Sequence, residues 1–485
     1  MPRKKTKSAT FYVTTSIPYI NGEPHLGHAM EFIMADVLAR YARQQSKDTL
    51  LSIGTDEHGG KVAEKANELG LEPKILADQM SAKFRELSSS LLISNDRFIR
   101  TTDEGHEQRA AIIWQNLKED IYKDKYVGWY CVGCEEFKTE SYVKETNGIC
   151  PEHNRPYEKI EEDNYFFRLS KYVPEIKKSI ESGTFKVIPS SRRNETLAIL
   201  NGEVSDISIS RPKDKIKWGI DVPGDKTQVM YVWFEALMNY ITVLGYPEHD
   251  DFKKYWPADV QVVGKGINRF HSVIWPGILL GLGLGLPKML YVHGYITVNN
   301  QKMSKSIGNV VSPAQILEKY SADVFRYFFL RHIPSYEDGD FTWEKLEEIY
   351  NNELANELGN TVNRVSAMIL KYQSGAIGET PDPGHDEAQY HQAIGECHFD
   401  RAIDEIWEQI RGLNQYIDET KPWEISSEKD SSHLQEVLAY CVSNLLQIAE
   451  LLTPFLPDTS KKIKNVFESG IVRPLEGTLF PKSEA

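Results

Sequence analysis

The sequence predicts an α/β protein built on a doubly wound parallel sheet, with an inserted module and a following all-α helical bundle. Three observations support this fold class. Strand-like runs alternate with helical patterns over residues 10 to about 118, and strand-like runs return after residue 215. Three of the five cysteines cluster between these two stretches. Strand signals vanish after about Val310, where amphipathic helical patterns begin.

Size and composition restrict the class of protein. A chain of 485 residues exceeds one hydrophobic core and should form roughly two to four domains. The most apolar stretch, 273–286, is short and interrupted by Pro276, so no membrane segment is predicted. The basic start, Met1–Lys7, has no apolar signal core after it. Few cysteines indicate a reducing compartment, and we expect a cytoplasmic location. A net charge of −14 does not exclude an RNA partner, because a local basic surface can coexist with it.

The first motif is His25-Leu-Gly-His28. It follows a β-branched run, Phe11–Ile17, and a turn that contains Gly22 and Pro24, and it opens an amphipathic helical pattern. A strand, a turn and a helix start in this order present backbone N–H groups to a phosphate. The segment therefore predicts a phosphate site, although a histidine pair by itself can also be structural.

The second motif is the loop Lys302-Met-Ser-Lys305-Ser306, which follows the strand-like run Tyr291–Val298. Its two lysines are mobile point charges that can swing toward an anion. Such a loop can also be a solvated turn. Both motifs together, each in its expected setting, favour a functional interpretation.

Together the two motifs resemble the HIGH and KMSKS signatures of class I aminoacyl-tRNA synthetases, which activate an amino acid with ATP and load it onto tRNA. Further strings narrow the resemblance to the methionyl-tRNA synthetase family and extend it over nearly the whole chain. These strings are Ser16–Gly22, Gly54–Gly59, Tyr231–Ala236, Gly264–Lys265, Arg269–Ser272 and His293–Asn299. The resemblance implies a Rossmann-like catalytic domain and three substrates: ATP, L-methionine and tRNA(Met).

The pattern and the resemblance together divide the chain into five parts. The first half of the catalytic domain is 1–118, the inserted connective module 119–215, the second half 216–309, a stem segment 310–350 and the α-helical anticodon-binding domain 351–485. Strand-like runs predict the strands of the interrupted parallel sheet. They are Phe11–Ile17, Thr49–Ile53, Val229–Phe234, Asp259–Gly266 and Tyr291–Val298.

The resemblance implies that His25, His28, Lys302 and Lys305 are catalytic and that these residues, with Gly27, bind ATP. The amino-acid carboxylate attacks the α-phosphorus of ATP in line, and pyrophosphate leaves. Preorganised donors are needed for the charge that develops on the phosphates. We expect Mg²⁺ to accompany ATP, although no ligand for it can be identified from the sequence.

The resemblance also implies a methionine pocket. Asp56 holds the substrate ammonium, and the side-chain pocket consists of Ile17, Tyr19, Trp233, Tyr240, Ile267 and His271. Aromatic rings suit a polarizable thioether, and Tyr19 or His271 could donate a weak hydrogen bond to its sulfur. Two alternatives stay open, because Trp233 could be a core residue and Asp56 a helix N-cap.

Two positions depart from the family pattern. Gly266 stands where aspartate is common in the family, so a carboxylate contact, which the resemblance implies is to the nucleotide ribose, is missing or replaced. Glu235 stands where aspartate is usual, which keeps the charge on a longer arm.

The cysteine cluster has the spacing Cys131-x2-Cys134-x15-Cys150-x2-His153. This is the spacing of a tetrahedral Cys₃His zinc site, and Gly133, Gly148 and Pro151 supply tight turns around it. Four protein ligands leave no position for water, so we expect a structural Zn²⁺. The alternative is a set of unpaired buried thiols. The remaining cysteines, Cys397 and Cys441, fall in helical patterns and are expected in the core.

In the resembling family a helical bundle reads the CAU anticodon. The matching residues are Asn360 and Arg364, one helical turn apart, and Trp423 after Lys421-Pro422. Single-stranded bases are read by stacking and edge hydrogen bonds, to which these side chains are suited. The alternative is an ion pair on a helix face beside a buried tryptophan.

The sequence disfavours three functions other than the one that the resemblance implies. A synthetase for another apolar amino acid conflicts with the insert, which is too short for a hydrolytic editing domain. The cysteine-specific relative has a zinc ligand upstream of the first motif, and no cysteine precedes His25. A non-catalytic RNA-binding relative usually lacks a signature, and a nucleotidyltransferase needs neither the zinc module nor the bundle. The chain ends at Ala485, soon after the bundle, and we expect a monomer.

Overall fold

The computed structural model describes residues 9–134, 136–138, 140–302, 310–425, 431–475 and 477–481. Sixteen strands occur in these residues. They are β1 (Thr10–Thr15), β2 (Asp48–Thr55), β3 (Arg97–Arg100), β4 (Ile121–Cys131), β5 (Glu136–Lys138), β6 (Glu158–Phe167), β7 (Lys186–Ile188), β8 (Ile207–Ser208), β9 (Ser210–Pro212), β10 (Asp221–Val222), β11 (Asp225–Met230), β12 (Val260–Gly264), β13 (Met289–His293), β14 (Ile296–Val298), β15 (Gln301–Lys302) and β16 (Gly339–Phe341).

The same residues form nineteen α-helices. They are α1 (Leu26–Gln44), α2 (Gly60–Glu68), α3 (Pro73–Ser90), α4 (Glu104–Asn116), α5 (Glu140–Glu145), α6 (Val173–Ser182), α7 (Ser190–Asn201), α8 (Val232–Leu237), α9 (Asn239–Thr242), α10 (Asp250–Tyr255), α11 (Trp275–Gly281), α12 (Pro313–Leu317), α13 (Ala322–Tyr327), α14 (Trp343–Ile349), α15 (Asn360–Gln373), α16 (Ala388–Gly395), α17 (Phe399–Thr420), α18 (Ser431–Leu452) and α19 (Pro457–Phe467). None of them is both long and apolar enough to cross a bilayer.

Six parallel strands form the central sheet in the order β3-β2-β1-β12-β13-β7. The predicted doubly wound fold is therefore confirmed. The first two strands consist mostly of buried residues, as expected for a sheet covered by helices on both faces. The strand order reverses between β1 and β12, and ligands of such folds bind outside the carboxyl ends of the strands at this switch point.

Two of the predicted strands differ from the structure. The run Val229–Phe234 does not belong to the parallel sheet, because β11 ends at Met230 in a small antiparallel sheet and α8 begins at Val232. The run Tyr291–Val298 is broken at Gly294, where a Cβ would lie 2.2 Å from the carbonyl oxygen of Glu337. The chain turns there, and β14 pairs with β16 in another sheet.

The segment between residues 119 and 215 contributes to three sheets, the third through β9, which pairs with β11. Its β4 and β6 form a long antiparallel pair, and the cysteine cluster begins where β4 ends. Its β7, however, pairs in parallel with β13 at the edge of the central sheet. The five-part division of the chain stays a prediction, and any boundary drawn for the inserted module must account for β7.

The C-terminal part is the predicted helical bundle, in which α17 and α18 are the longest helices. One short strand, β16, lies in the stretch where only helices were expected, because it pairs with β14. Cys441 lies in α18, as predicted. Cys397 does not lie in a helix, since it occupies the bend between α16 and α17 with a φ of 58°, but both cysteines are buried.

A buried ion pair joins the two halves of the molecule. Arg326 of α13 contacts Asp36 of α1 at 2.7 Å, and both side chains are fully buried. The same guanidinium donates to the carbonyl oxygens of Leu91, Pro454 and Phe455, at 3.2, 2.9 and 2.6 Å. One side chain thus connects the catalytic sheet, the stem and the bundle.

Candidate active site

A cavity of about 450 Å³ opens at the carboxyl end of β1, at the switch point of the sheet. It is lined by Tyr19, Asn21, Gly22, Glu23, His25, His28, Lys61, Gly133, Cys134, Lys138, Glu152, His153, Trp233, Gly266, Ile267, Phe270 and Tyr295. The cavity thus brings the first motif together with two predicted pocket aromatics and with the cysteine cluster.

The two histidines of the first motif cap helix α1. The Gly27 N–H donates to Nδ1 of His25 at 3.1 Å, and the His25 N–H donates to Nδ1 of His28 at 3.3 Å. The rings stack with centroids 3.6 Å apart. Since each Nδ1 accepts, each neutral ring carries its proton on Nε2. Burial lowers the pKa of both histidines, so they are neutral donors at the start of a helix.

The lysine loop lies almost wholly outside the described residues. The backbone of Lys302 pairs with Thr297 in the β14–β15 ladder. Neither the side chain of Lys302 nor any part of 303–309, which includes Lys305, is described. The structure therefore shows only where the loop begins, at the end of β15, which pairs with β14.

Asp56 follows β2 directly and lies beside the segment that carries Tyr19. Its N–H donates to the Pro18 carbonyl at 2.9 Å, and its own carbonyl accepts from the Ile20 N–H at 3.1 Å. The Asp56 side chain is buried at 5% exposure. The predicted ammonium ligand, Asp56, and the predicted pocket residue Tyr19 are thus held next to each other by backbone hydrogen bonds.

The sequence predicts no role for Glu57 and His58, which follow Asp56, but the structure gives each of them an ionic partner. Arg100 forms a bidentate pair with the buried carboxylate of Glu57, at 2.7 and 2.8 Å. Thr102 donates a further hydrogen bond to Glu57. The position of Glu57 next to Asp56 could have marked it as a candidate site residue. Its partners lie in β3 and in the turn after β3, and the sequence alone does not show that these segments come close to Glu57.

His58 belongs to a second buried network, which we call the floor: Glu235 with His58 and His106. The Glu235 carboxylate contacts Nδ1 of His58 at 2.8 Å and Nε2 of His106 at 2.9 Å. Burial lowers the pKa of His58, but Glu235, Glu107 and Asp56 outweigh it and raise the pKa to about 10. Glu235, which stands where aspartate is usual in the family, is therefore a buried residue and not a surface one. Its carboxylate contacts two histidines, one of which lies two positions after Asp56.

The aromatic wall of the cavity is Trp233 stacked on Phe270, with centroids 4.1 Å apart. Tyr240 and His271 lie behind this wall and are buried. Ile17 packs at the close approach to Gly54, where a Cβ would lie 3.0 Å from the Ile17 methyl. Tyr19, Trp233 and Ile267 thus face the cavity, while the other three predicted pocket residues support it.

Of the two side chains expected as possible donors to the methionine sulfur, the hydrogen bonds of His271 favour Tyr19. Nδ1–H of His271 donates to the Ile267 carbonyl at 3.0 Å, so Nε2 accepts from the Tyr240 hydroxyl at 2.6 Å. Burial lowers the pKa of His271 to about 4. Both ring nitrogens of a neutral histidine are therefore engaged, and His271 has no proton to donate to a thioether sulfur.

The cysteine cluster has the geometry of a four-ligand metal site. The Cys134 sulfur lies 3.6 Å from that of Cys150 and 3.5 Å from Nδ1 of His153, and all four ligand atoms lie within 4.8 Å of one another. A tetrahedral ion with Zn–S bonds of about 2.3 Å requires edges of roughly 3.5–3.8 Å. At Gly133 a Cβ would lie 2.4 Å from the His153 ring, so the turn needs glycine. The residues fit a Zn²⁺ ion.

The three predicted anticodon residues lie at one end of the bundle. The Arg364 guanidinium lies 5.6 Å from the ring centroid of Trp423 and pairs with Asp418 at 2.7 Å. Trp423 is 41% exposed, so it is not the buried tryptophan of the alternative interpretation. Asn360 is exposed at the first residue of α15.

The family model described as tRNA synthetases class I (M) matches residues 11–159 and 154–366. A second model, the anticodon-binding domain of tRNA ligase, matches residues 386–472. The chain belongs to the methionyl-tRNA synthetase family. The first family model covers the parallel sheet and the second covers the helical bundle, so the assignment applies to both parts of the chain.

Individual relatives agree with the assignment. The methionine–tRNA ligase of Thermotoga maritima is 43% identical over 472 residues, which are 93% of this chain and 74% of that protein. The ligase of Caldanaerobacter subterraneus is 41% identical over 473 residues, 94% of this chain and 73% of that one. The structure of Mycobacterium tuberculosis methionyl-tRNA synthetase bound by methionyl-adenylate superposes with a TM-score of 0.90 at 35% identity, covering 97% of this chain and 100% of that one.

Proposed function

We propose that the chain is a methionine–tRNA ligase. It activates L-methionine with ATP to methionyl-adenylate and pyrophosphate, and transfers methionine to the 3′ end of tRNA(Met) for initiation and elongation. The observation that carries the proposal is the cavity at the switch point, where neutral histidines at a helix start face an aromatic wall and Tyr19, with Asp56 paired to Tyr19 through the backbone. The relatives and the adenylate-bound neighbour support it.

The helix start binds the phosphates of ATP. Nε2–H of His25 and His28 donates to phosphate oxygens, and Gly27 keeps the space open because a Cβ would lie 3.0 Å from the His25 ring. Lys302 and Lys305 approach from the loop as mobile charges. The methionine carboxylate attacks the α-phosphorus, the new acyl–phosphate bond forms, and pyrophosphate leaves with the bonding electrons. Mg²⁺ enters with ATP and neutralises part of the phosphate charge.

The methionine pocket provides specificity. Asp56 binds the substrate ammonium, and Ile17, Tyr19, Trp233, Tyr240, Ile267 and His271 form or support the side-chain pocket. Discrimination by apolar contacts alone is worth only about 1–3 kcal/mol, so a polar contact to sulfur is needed. With His271 occupied by its neighbours, we assign that contact to Tyr19.

We propose that Cys131, Cys134, Cys150 and His153 hold one structural Zn²⁺. The ion, when bound, fixes the fold of the hairpin tip and leaves no coordination position for water. The residues of the cysteine cluster also form part of the cavity wall, because Gly133, Cys134 and His153 line the cavity. Since none of the five cysteines forms a disulfide, we also propose a reducing compartment, the cytoplasm. The expected monomer stays a prediction for size-exclusion chromatography with light scattering.

Asn360, Arg364 and Trp423 are proposed to bind the anticodon. Stacking of a base on Trp423 is worth about 1–3 kcal/mol, so Trp423→Ala should raise KM for tRNA(Met) with little change in kcat. ATP–pyrophosphate exchange without tRNA is the internal control and should not change. Unchanged tRNA charging by the variant would remove the anticodon assignment.

The experiment that tests the proposed activation step is amino-acid-dependent ATP–pyrophosphate exchange. Methionine is compared with leucine, isoleucine, valine and cysteine. Exchange with methionine alone is the expected result. Exchange with another of these amino acids would overturn the pocket, and no exchange in zinc-loaded protein would favour the non-catalytic relative.

A further inference from the structure

Helix α1 carries a buried carboxylate three residues after the first motif. This is Glu31, whose Oε1 accepts from the N–H and the hydroxyl of Ser16 at 2.7 and 2.5 Å. Its other oxygen, Oε2, lies 3.0 Å from Nε2 of His293. Ser16 follows β1 directly, and His293 ends β13. Glu31 therefore connects the helix that begins at the histidine motif to the carboxyl ends of two strands of the central sheet.

The hydrogen bonds of His293 determine its charge. Nδ1 lies 2.8 Å from the carbonyl oxygen of Gly294, which can only accept, so Nδ1 carries a proton. Nε2 faces the Glu31 carboxylate, and the two hydrogen bonds that Oε1 accepts favour the ionised form of that carboxylate. Nε2 therefore carries a proton as well. His293 is an imidazolium, and because both side chains are buried, each charge is compensated by the other.

The pair of Glu31 and His293 lies between the two sequence motifs. His25 and His28 open the helix that carries Glu31. On the other side, the chain turns at Gly294 directly after His293 and continues through β14 to β15, where the lysine loop begins. Burial lowers the pKa of His28, and His25 and His293 lower it further. The charge of His293 thus acts on the histidine motif and helps to keep His28 neutral.

We propose that Glu31 and His293 are positioning residues, which hold the histidine helix and the segment leading to the lysine loop in the arrangement that methionine activation needs. The proposal rests on the proposed function. Neither of the two side chains lines the cavity, so the pair acts through the groups that do. A displacement of about 1 Å in a reacting group can cost roughly 100-fold in rate, so loss of the pair should lower kcat.

The first test is the kinetics of methionine-dependent pyrophosphate exchange. His293→Gln and Glu31→Gln each remove one charge of the pair, and each should lower kcat by about 10- to 100-fold. The KM for methionine should stay nearly unchanged in His293→Gln, because the residues that contact the substrate remain. The double variant should lose no more than the more affected single variant, since the two residues act as one unit. Native kcat in either folded variant, or full additivity, overturns the positioning role.

A matched control pair lies on the C-terminal side of the lysine loop. Nε2 of His332 lies 3.0 Å from Oε2 of Glu353, so the same two kinds of atom stand at the same distance. His332→Gln removes the imidazole of this pair, and the kcat and KM of pyrophosphate exchange should keep their native values. An equal fall of kcat in His332→Gln would show that losing such a pair lowers activity through the fold as a whole, and would overturn the specific role of His293.

The charge of His293 can be measured in the native chain, so this test does not depend on the folding of a variant. Nitrogen-15 NMR of histidine-labelled protein at pH 7 distinguishes an imidazolium, with protons on both nitrogens, from a neutral ring. We expect two N–H signals for His293, assigned from through-space contacts with Gly294 and with Gly264, which lies against the ring. A single N–H would overturn the charged pair and with it the proposal. A native chain without methionine-dependent exchange would overturn the proposed function instead, whatever the charge of His293.

Discussion

Two buried charged centres serve different purposes in this molecule. The junction, Arg326 with Asp36, joins the catalytic sheet to the stem and the bundle, and both of its side chains are fully buried. The floor, Glu235 with His58 and His106, lies next to the loop that carries Asp56. Both centres satisfy their charges with partners, as buried ions require.

The difference lies in which groups titrate. The guanidinium of the junction stays charged at every pH that the protein tolerates, and its other partners are backbone carbonyls, which never titrate. The floor includes His58, whose pKa the nearby carboxylates raise to about 10. A centre built for assembly is insensitive to pH, whereas a centre that supports a binding site can respond to charge.

Breaking the junction should have the largest effect on stability. Arg326→Leu removes the guanidinium and leaves the Asp36 carboxylate buried, which should cost about 3–5 kcal/mol of unfolding free energy. Chemical denaturation at pH 7.5 measures the loss. A loss below about 1 kcal/mol would show that the junction does not hold the two halves together.

Removing the charge of Glu235 should reduce the free energy of unfolding less than Arg326→Leu does, but it should reduce activity more. Glu235→Gln removes the charge but keeps an acceptor for one histidine, so we expect a loss of about 2–3 kcal/mol. Because the loop that carries Asp56 shifts, kcat/KM for methionine should fall by about one to two orders of magnitude. Glu235→Asp is the control that keeps the charge, and it should retain more activity than the glutamine variant. Equal activity of both variants would contradict an electrostatic role.

The two centres should differ in their response to pH. The raised pKa of His58 stabilises the fold fully below about pH 6.5, and this contribution disappears as the pH rises through about 10. The destabilisation by His58→Gln should therefore be larger at pH 6 than at pH 9.5, by about 1–2 kcal/mol. The cost of Arg326→Leu should be the same at both values. A pH-independent cost of His58→Gln would show that its charge is not part of the floor.

The smallest effect is expected at the edge of the junction. Arg40 contacts the same Asp36 carboxylate at 2.7 Å but is 21% exposed. Arg40→Ala should cost only about 1 kcal/mol or less, since the buried Arg326 remains. A cost equal to that of Arg326→Leu would remove the distinction between a buried anchor and a peripheral ion pair.

The sequence predicted the sheet, the bundle and the metal cluster because each has a local signal. The histidine motif, the cysteine spacing and the helical periodicity all lie within short windows, and the structure has each where it was expected. Contacts between distant residues have no such signal. Glu235, for example, meets His58 across 177 positions.

The strand predictions failed where tertiary structure overrides local preference. The apolar run that ends at Phe234 has the residues of a strand, yet it turns into helix α8 so that Trp233 faces the cavity and Glu235 points inward. Likewise, the edge strand β7 came from a segment expected to lie wholly in the insert. Three residues at a sheet edge carry too little periodicity to be distinguished from a loop.

The most direct test of the whole account is the transfer of labelled methionine to tRNA. The purified chain is incubated with ATP, labelled methionine and two tRNA(Met) transcripts, one with the CAU anticodon and one with that triplet changed. The account predicts methionyl-tRNA with the first transcript and a strong loss with the second. Pyrophosphate exchange with methionine but no labelled tRNA from either transcript would contradict it.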